Sequence, residues 1–226
     1  MLPSGSDAAY VLAVHVGGQG QNKLTGKEAM ANFAGMMNRR AAALGAYDSH
    51  FVNPDGFHDP GHYSTPYDMA LIAREAMKHP AFREVVATPE YSPLGSLAAS
   101  GKIKWENTNK FLNPKGPYYM PEVDGIKTGT TRQAGYCLIS SASRGDKNLI
   151  AVVLRSNENE LYKDSRRFLE FGFLTAPPVP AAASEAAQSG GITVQALPGA
   201  VALAALVYMG SRLLRNYRRR KQSESA

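Results

Sequence analysis

Apolar residues recur at helical spacing three times in the first eighty positions. Ala8, Ala9, Val11, Leu12, Ala13 and Val16 lie within residues 7–17, which predicts a buried helix ended by Gly17-Gly18. Thr25-Gly26-Lys27-Glu28 has the spacing of a capping box. The helix it opens runs through Met30, Phe33, Met36 and Met37 to Leu44, with Gly45 as C-terminal cap. A Pro-, Gly- and Asp-rich loop spans Tyr47 to Tyr63. A third helix takes Thr65 as cap, Pro66 as first residue and Asp68 in its first turn, and stops before Pro80. Phe33, Met36, Met37 and Met69 are read as core.

The period then changes. Lys102 to Glu106 alternates as a half-buried strand does. Gly135–Ser143 and Leu149–Leu154 are β-rich runs joined by Arg144-Gly145-Asp146-Lys147, a hairpin. A helix from about Glu160 to Phe171 follows. Helices first, then an antiparallel sheet and a closing helix, is an α+β order, not a βαβ repeat.

After Phe173 the composition shifts. A Pro/Ala/Ser linker is expected over 175–191. Residues 192–211 hold no charge, and twenty helical residues span ~30 Å, about one bilayer core. A transmembrane or interfacial anchor is therefore expected over 192–214, with a basic tail at 215–226. By the positive-inside rule the tail is cytoplasmic and the preceding domain extracytoplasmic, at a bacterial cell membrane.

Charge changes the picture little. The formal net charge is +6, but six of the 25 basic residues lie between Arg212 and Lys221. Residues 1–211 hold 19 basic and 18 acidic side chains, which argues against a nucleic-acid partner. Cys137 is the single cysteine, so no intrachain disulfide forms, and it reads as a small buried hydrophobe. His58 and His62 with Asp55 and Asp59 sit in a Pro/Gly loop without a metal-site spacing, so neither a metal nor another cofactor is expected.

The candidate chemistry lies in Asp124-Gly125-Ile126-Lys127-Thr128-Gly129-Thr130-Thr131. A Lys-Thr-Gly triplet at the head of a strand places a cation beside an acyl group or a carboxylate. The threonine hydroxyl hydrogen-bonds the same carboxylate, and the glycine lets substrate approach the backbone. Ser4-Gly5-Ser6-Asp7-Ala8-Ala9 supplies hydroxyls at the other end of the sequence, although Ser4, Ser6 and Asp7 are also good helix caps.

Together these segments resemble the second and third motifs of the S11 peptidases, the serine-type D-alanyl-D-alanine carboxypeptidases or low-molecular-weight penicillin-binding proteins. Met37-Asn38 with Leu44-Gly45, Phe51 to Gly56, His62 to Thr65, Asp68-Met69-Ala70, Asn107-Thr108-Asn109 and Asp124 to Cys137 match in the same order. The resemblance implies a transpeptidase-like α+β domain over 1–174. It implies removal of the terminal D-alanine from peptidoglycan pentapeptide through an acyl-serine intermediate, with β-lactams as inhibitors. Ser4 carries over as a proton relay. Lys127, Thr128 and Gly129 carry over to carboxylate binding, with Thr130 lining the cleft. Ser6 stands where the family has asparagine. No serine in the sequence has lysine three residues later, so the nucleophile motif is absent and the chain is expected to be an N-terminally truncated, inactive form. Alternatives are a non-catalytic peptidoglycan-binding short form and a β-lactamase-like hydrolase.

Overall fold

The structure is a computed structural model that describes residues 1–19, 24–92 and 104–177. Five helices and five strands follow in order: α1 Ser6–Gly17, α2 Gly26–Ala43, α3 Pro66–Ala76, α4 Pro80–Ala87, β1 Glu90–Tyr91, β2 Trp105–Glu106, β3 Val123–Thr131, β4 Gly135–Arg144, β5 Lys147–Ser156 and α5 Leu161–Thr175. A 3₁₀ turn at Lys110–Leu112 precedes β3. The expected linker from Pro178 onward, the anchor at 192–214 and the tail at 215–226 lie outside the described residues. Among the described residues no helix is long and apolar enough to cross a membrane.

The helix signals act as their chemistry requires. Thr25 accepts from the Glu28 amide while the Glu28 carboxylate accepts from the Thr25 amide, closing the capping box of α2. Gly45 ends that helix at φ +83°, a left-handed conformation that side chains with a Cβ disfavour. Thr65 caps α3 by accepting from the Asp68 amide at 3.1 Å. The helix α4 was not expected from the sequence; Pro80 opens it at the first position rather than only ending what precedes.

Strands β3, β4 and β5 form one antiparallel sheet in that order. Alternation on β4 sends Leu138 and Ala142 to one face, where they pack with Phe111, Leu161, Leu169 and Phe173. Ile139 goes to the other face, toward Ala73 of α3 and Val86 of α4. The sheet is thus covered by α5 on one side and by α3 and α4 on the other. Ala41 and Ala46 pack with Leu71, joining α2 to α3.

Four expectations need correction. The helix α1 is not buried: Val11 is 69% and Leu12 62% exposed, because only Ala13 and Gly17 face α2 closely. Met36 is exposed rather than core, and Phe33, Met37 and Met69 are half-buried, since small residues (Ala29, Ala34, Ala41) make the close contacts of α2. Cys137 is half-buried, near the turn that joins β3 to β4. Of the strand expected from Lys102 to Glu106, Lys102 and Ile103 lie outside the described residues and Lys104 is irregular; Trp105–Glu106 is an exposed strand paired with β1 through a stacked Tyr91–Trp105 contact.

Candidate functional site

The triplet lies in the middle of β3, not at its head. Lys127, Thr128 and Gly129 pair across β4 with Ile139, Leu138 and Cys137. Strand residues precede and follow Lys127 within the nine-residue β3, and pairing with β4 fixes where its ammonium emerges. Half-burial beside the helical part lowers the Lys127 pKa from its ordinary value, because desolvation penalises the charged form.

The Lys127 ammonium donates to the Ser4 hydroxyl and, at 2.7 Å, to the Thr128 carbonyl. Ser4 and Lys127 are 123 residues apart in sequence. Ser4 reaches the lysine because its backbone turns left-handed at φ +56°, with its amide bonded to the Met1 carbonyl. The Thr108 amide bonds the Leu2 carbonyl at 3.2 Å, and Leu2 is buried, so this short segment is tied to the loop before β3. Neither Ser4 nor Ser6 caps α1; Gly5 occupies the N-cap without a side-chain bond. Ser6 is exposed and lies within the first turn of α1, and it makes no side-chain hydrogen bond among the described residues. Asp7 accepts from the Ala8 amide.

Thr108 completes the cluster. Its hydroxyl meets that of Thr128 at 2.5 Å. The motif Asn107-Thr108-Asn109 marked this segment, but its spacing alone did not assign Thr108 to the site. Its neighbours explain the placement. Asn109 is buried, donates to the Gly125 carbonyl at 3.1 Å and accepts from the Phe111 amide at 3.2 Å. Asn107 donates to the carbonyls of Val86 and Thr88, tying the loop to the end of α4. The Tyr162 hydroxyl of α5 donates to the Thr108 carbonyl and accepts from the Lys110 amide. Two asparagines and a tyrosine thus hold one threonine against the strand.

The remaining motif matches are scaffolding. The Asn38 side chain pairs both the amide and the carbonyl of Phe51, at 2.7 and 2.8 Å. Buried Asp68 accepts from Ser49, which also meets Ser64. His50 and Tyr63 close the loop with two backbone bonds. These contacts hold the 47–63 loop beside the far end of β3, where Phe57, His58, Thr130 and Arg132 line one depression.

One cation and three hydroxyls (Ser4, Thr108, Thr128) converge beside a strand. Among the described residues no strand other than β4 pairs with β3, and Asn109 reaches its Gly125 carbonyl, so from Lys127 onward the other edge can receive a chain. Such a cluster can bind a carboxylate through charge and hydroxyl donors together. The serine beside an amine that burial makes easier to deprotonate is also suited to relaying a proton. Gly129 adds no side chain that would block approach to this edge.

The family model described as D-alanyl-D-alanine carboxypeptidase, Peptidase_S11, matches residues 1–158. A D-alanyl-D-alanine carboxypeptidase of Streptomyces sp. (strain K15) is 38% identical over 178 residues, covering 76% of this chain and 58% of that protein. The Bacillus subtilis (strain 168) D-alanyl-D-alanine carboxypeptidase DacF is 33% identical over 173 residues, covering 76% of this chain and 40% of that protein. The chain therefore spans roughly half the length of these two relatives. Among solved structures, the Streptomyces K15 DD-transpeptidase superposes with a TM-score of 0.66 at 34% identity, covering 77% of this chain and 64% of that one. Penicillin-binding protein D2 from Listeria monocytogenes, in its cefotaxime-bound form, gives a TM-score of 0.59 at 31% identity, covering 75% of this chain and 62% of that one. With a matched family model over more than half its length and an α+β fold shared with DD-peptidases, the chain belongs to the Peptidase_S11 family of D-alanyl-D-alanine carboxypeptidases.

Proposed function

We propose that this site binds the D-alanyl-D-alanine terminus of peptidoglycan stem peptides, as the carboxylate-binding side of a site that removes the last D-alanine through an acyl-serine intermediate. The observation that carries the reading is the convergence of Ser4, Lys127, Thr128 and Thr108 across the whole length of the domain. In this reading the terminal carboxylate of the substrate sits against the Lys127 ammonium and the Thr128 hydroxyl. Thr108 orients Thr128, and Ser4 passes a proton between Lys127 and the departing amine. The substrate lies as an added antiparallel strand along the free edge of β3, with Gly129 and Thr130 beneath it. β-Lactams, whose carboxylate sits next to a strained amide, fit the same anchor.

Acylation needs a nucleophilic serine with its lysine base, and the 226 residues contain no serine followed three positions later by lysine. The 226-residue chain is accordingly proposed to bind stem peptides without turning them over. The apolar run at 192–211, followed by arginines, supports placement of this domain outside a bacterial membrane, tethered by its C-terminus.

The test is equilibrium binding of a short acetylated peptide ending in D-Ala-D-Ala, paired with an assay for released D-alanine. Wild type should bind with no release, and Lys127→Ala should lose at least about tenfold in affinity, as expected for a charge-assisted contact of ~1.5 kcal/mol or more. Equal binding by both proteins, or steady D-alanine release by the 226-residue chain, would overturn the reading.

A further inference from the structure

A depression lies at the far end of β3, beyond the Lys127–Thr128 cluster. It has a volume of about 340 Å³ and is lined by Phe57 and His58 from the 47–63 loop, Thr130 and Thr131 from β3, and Arg132 and Gln133 from the turn into β4. We propose that it is a specificity subsite for a carboxylate-bearing side chain on the residue third from the peptide's C-terminus. This rests on the D-Ala-D-Ala reading above.

The geometry sets the distance. Thr128 and Thr131 are three residues apart on an extended strand, about 10 Å. A peptide running antiparallel to β3, with its C-terminal carboxylate at Thr128, proceeds toward Thr131 as it is followed back toward its own N-terminus. Two residues from that anchor cover ~7 Å, and the side chain of the next residue reaches the depression.

The lining sets the chemistry. None of the six lining residues is acidic. Among the described residues the Arg132 guanidinium makes neither an ion pair nor a hydrogen bond. Asp55 and Asp59 belong to the same loop but are not part of the lining; Asp55 accepts from the Phe57 amide and Asp59 from the Gly61 amide. Phe57 is 70% exposed, and its position is not accidental. The Asn53 amide group donates to the Phe57 carbonyl and accepts from the Gly56 amide, both at 2.8 Å, and Gly56 takes φ +81° to make that turn. An exposed ring held by its own loop beside an unpaired guanidinium suits an aliphatic stem ending in a carboxylate. A diaminodicarboxylic acid has that stem and offers such a carboxylate, on the same carbon as an ammonium. A lysine side chain has the same stem and ammonium but lacks the carboxylate that would meet Arg132.

Two probes separate this from the reading it rests on. N-acetylated tripeptides ending in D-Ala-D-Ala carry either meso-diaminopimelate or L-lysine at the first position, and binding is titrated to the full chain. The diaminopimelyl peptide should bind about three- to fivefold more tightly, the scale of an exposed charge pair. Arg132→Ala should equalise the two peptides, and Arg132→Glu should invert the preference, while Lys127→Ala weakens both together. Circular dichroism confirms that each exposed-site variant remains folded. If both peptides bind wild type equally and both need Lys127, the D-Ala-D-Ala reading stands and the subsite is refuted. Failure of both peptides to bind folded wild type refutes the reading and the subsite with it.

Discussion

Asn109 offers the sharpest test of how the site is held. It is buried, and its amide group satisfies two backbone partners at once, the Gly125 carbonyl and the Phe111 amide. Asn109→Ala leaves both without a partner and without access to water. Each orphaned group costs ~1–3 kcal/mol, so the variant should lose about 2–6 kcal/mol. That is a large part of the ~5–15 kcal/mol that holds a domain together. Urea unfolding followed by circular dichroism measures it as a fall in the midpoint at constant slope. Asn109→Asp adds a second check through pH. Its Oδ1 still accepts from Phe111, but the other oxygen can donate to the Gly125 carbonyl only while protonated. The folded state then raises the carboxyl pKa above its unfolded value of ~3.9. The sign follows from proton linkage: the interaction stabilises fully below ~3.9 and is lost as pH rises through the raised folded value. The aspartate variant should therefore come nearest to wild type in acid and fall behind toward neutrality. A midpoint for Asn109→Ala within ~0.5 kcal/mol of wild type, or an aspartate variant offset from wild type equally at all pH values, would refute this account.

Two further outcomes follow from other contacts. Desolvation lowers the Lys127 pKa in the folded state, so between that value and its ordinary value of 10.5 the unfolded chain holds more protons. Fold stability should thus rise with pH across that window while peptide binding weakens, because the anchor loses its charge; Lys127→Met, followed by unfolding and binding titrations across alkaline pH, should flatten both trends. Gly17 packs against α2 so closely that a Cβ there would sit 2.0 Å from the Ala29 carbonyl oxygen. Gly17→Ala should cost about 2–3 kcal/mol by forcing the two helices apart, read as a lower urea midpoint, and an unchanged midpoint would show that α1 is free to shift.

What was legible in the sequence has a common range. The capping box at Thr25 and Glu28, the cap at Thr65, the left-handed Gly45 and the turn at Gly145 each involve partners within a few residues. Hydrogen-bond geometry over so short a span depends on little else. Motif order was legible for a different reason: the Asn38–Phe51 pairing and the Ser49–Ser64–Asp68 chain need those side chains wherever this loop is built. The exposure of α1 was not legible. Its apolar residues have helical spacing, but spacing does not say what lies opposite each face. The helix α4 was hidden because Pro80 reads equally well as a stop and as a first helical residue.

The chain by itself determined its local turns, its α+β order and the identity of the chemical groups: a lysine, two threonines and a serine in recognisable settings. Tertiary structure decided that these groups meet. Ser4 finds Lys127 across 123 residues because Leu2 is buried against the Thr108 loop, and Thr108 finds Thr128 because Asn109 and Tyr162 fix that loop to β3 and α5. Packing also made Lys127 what it is chemically. A lysine in a sequence is a solvated cation, and only burial beside the strand turns it into one whose proton is easier to remove.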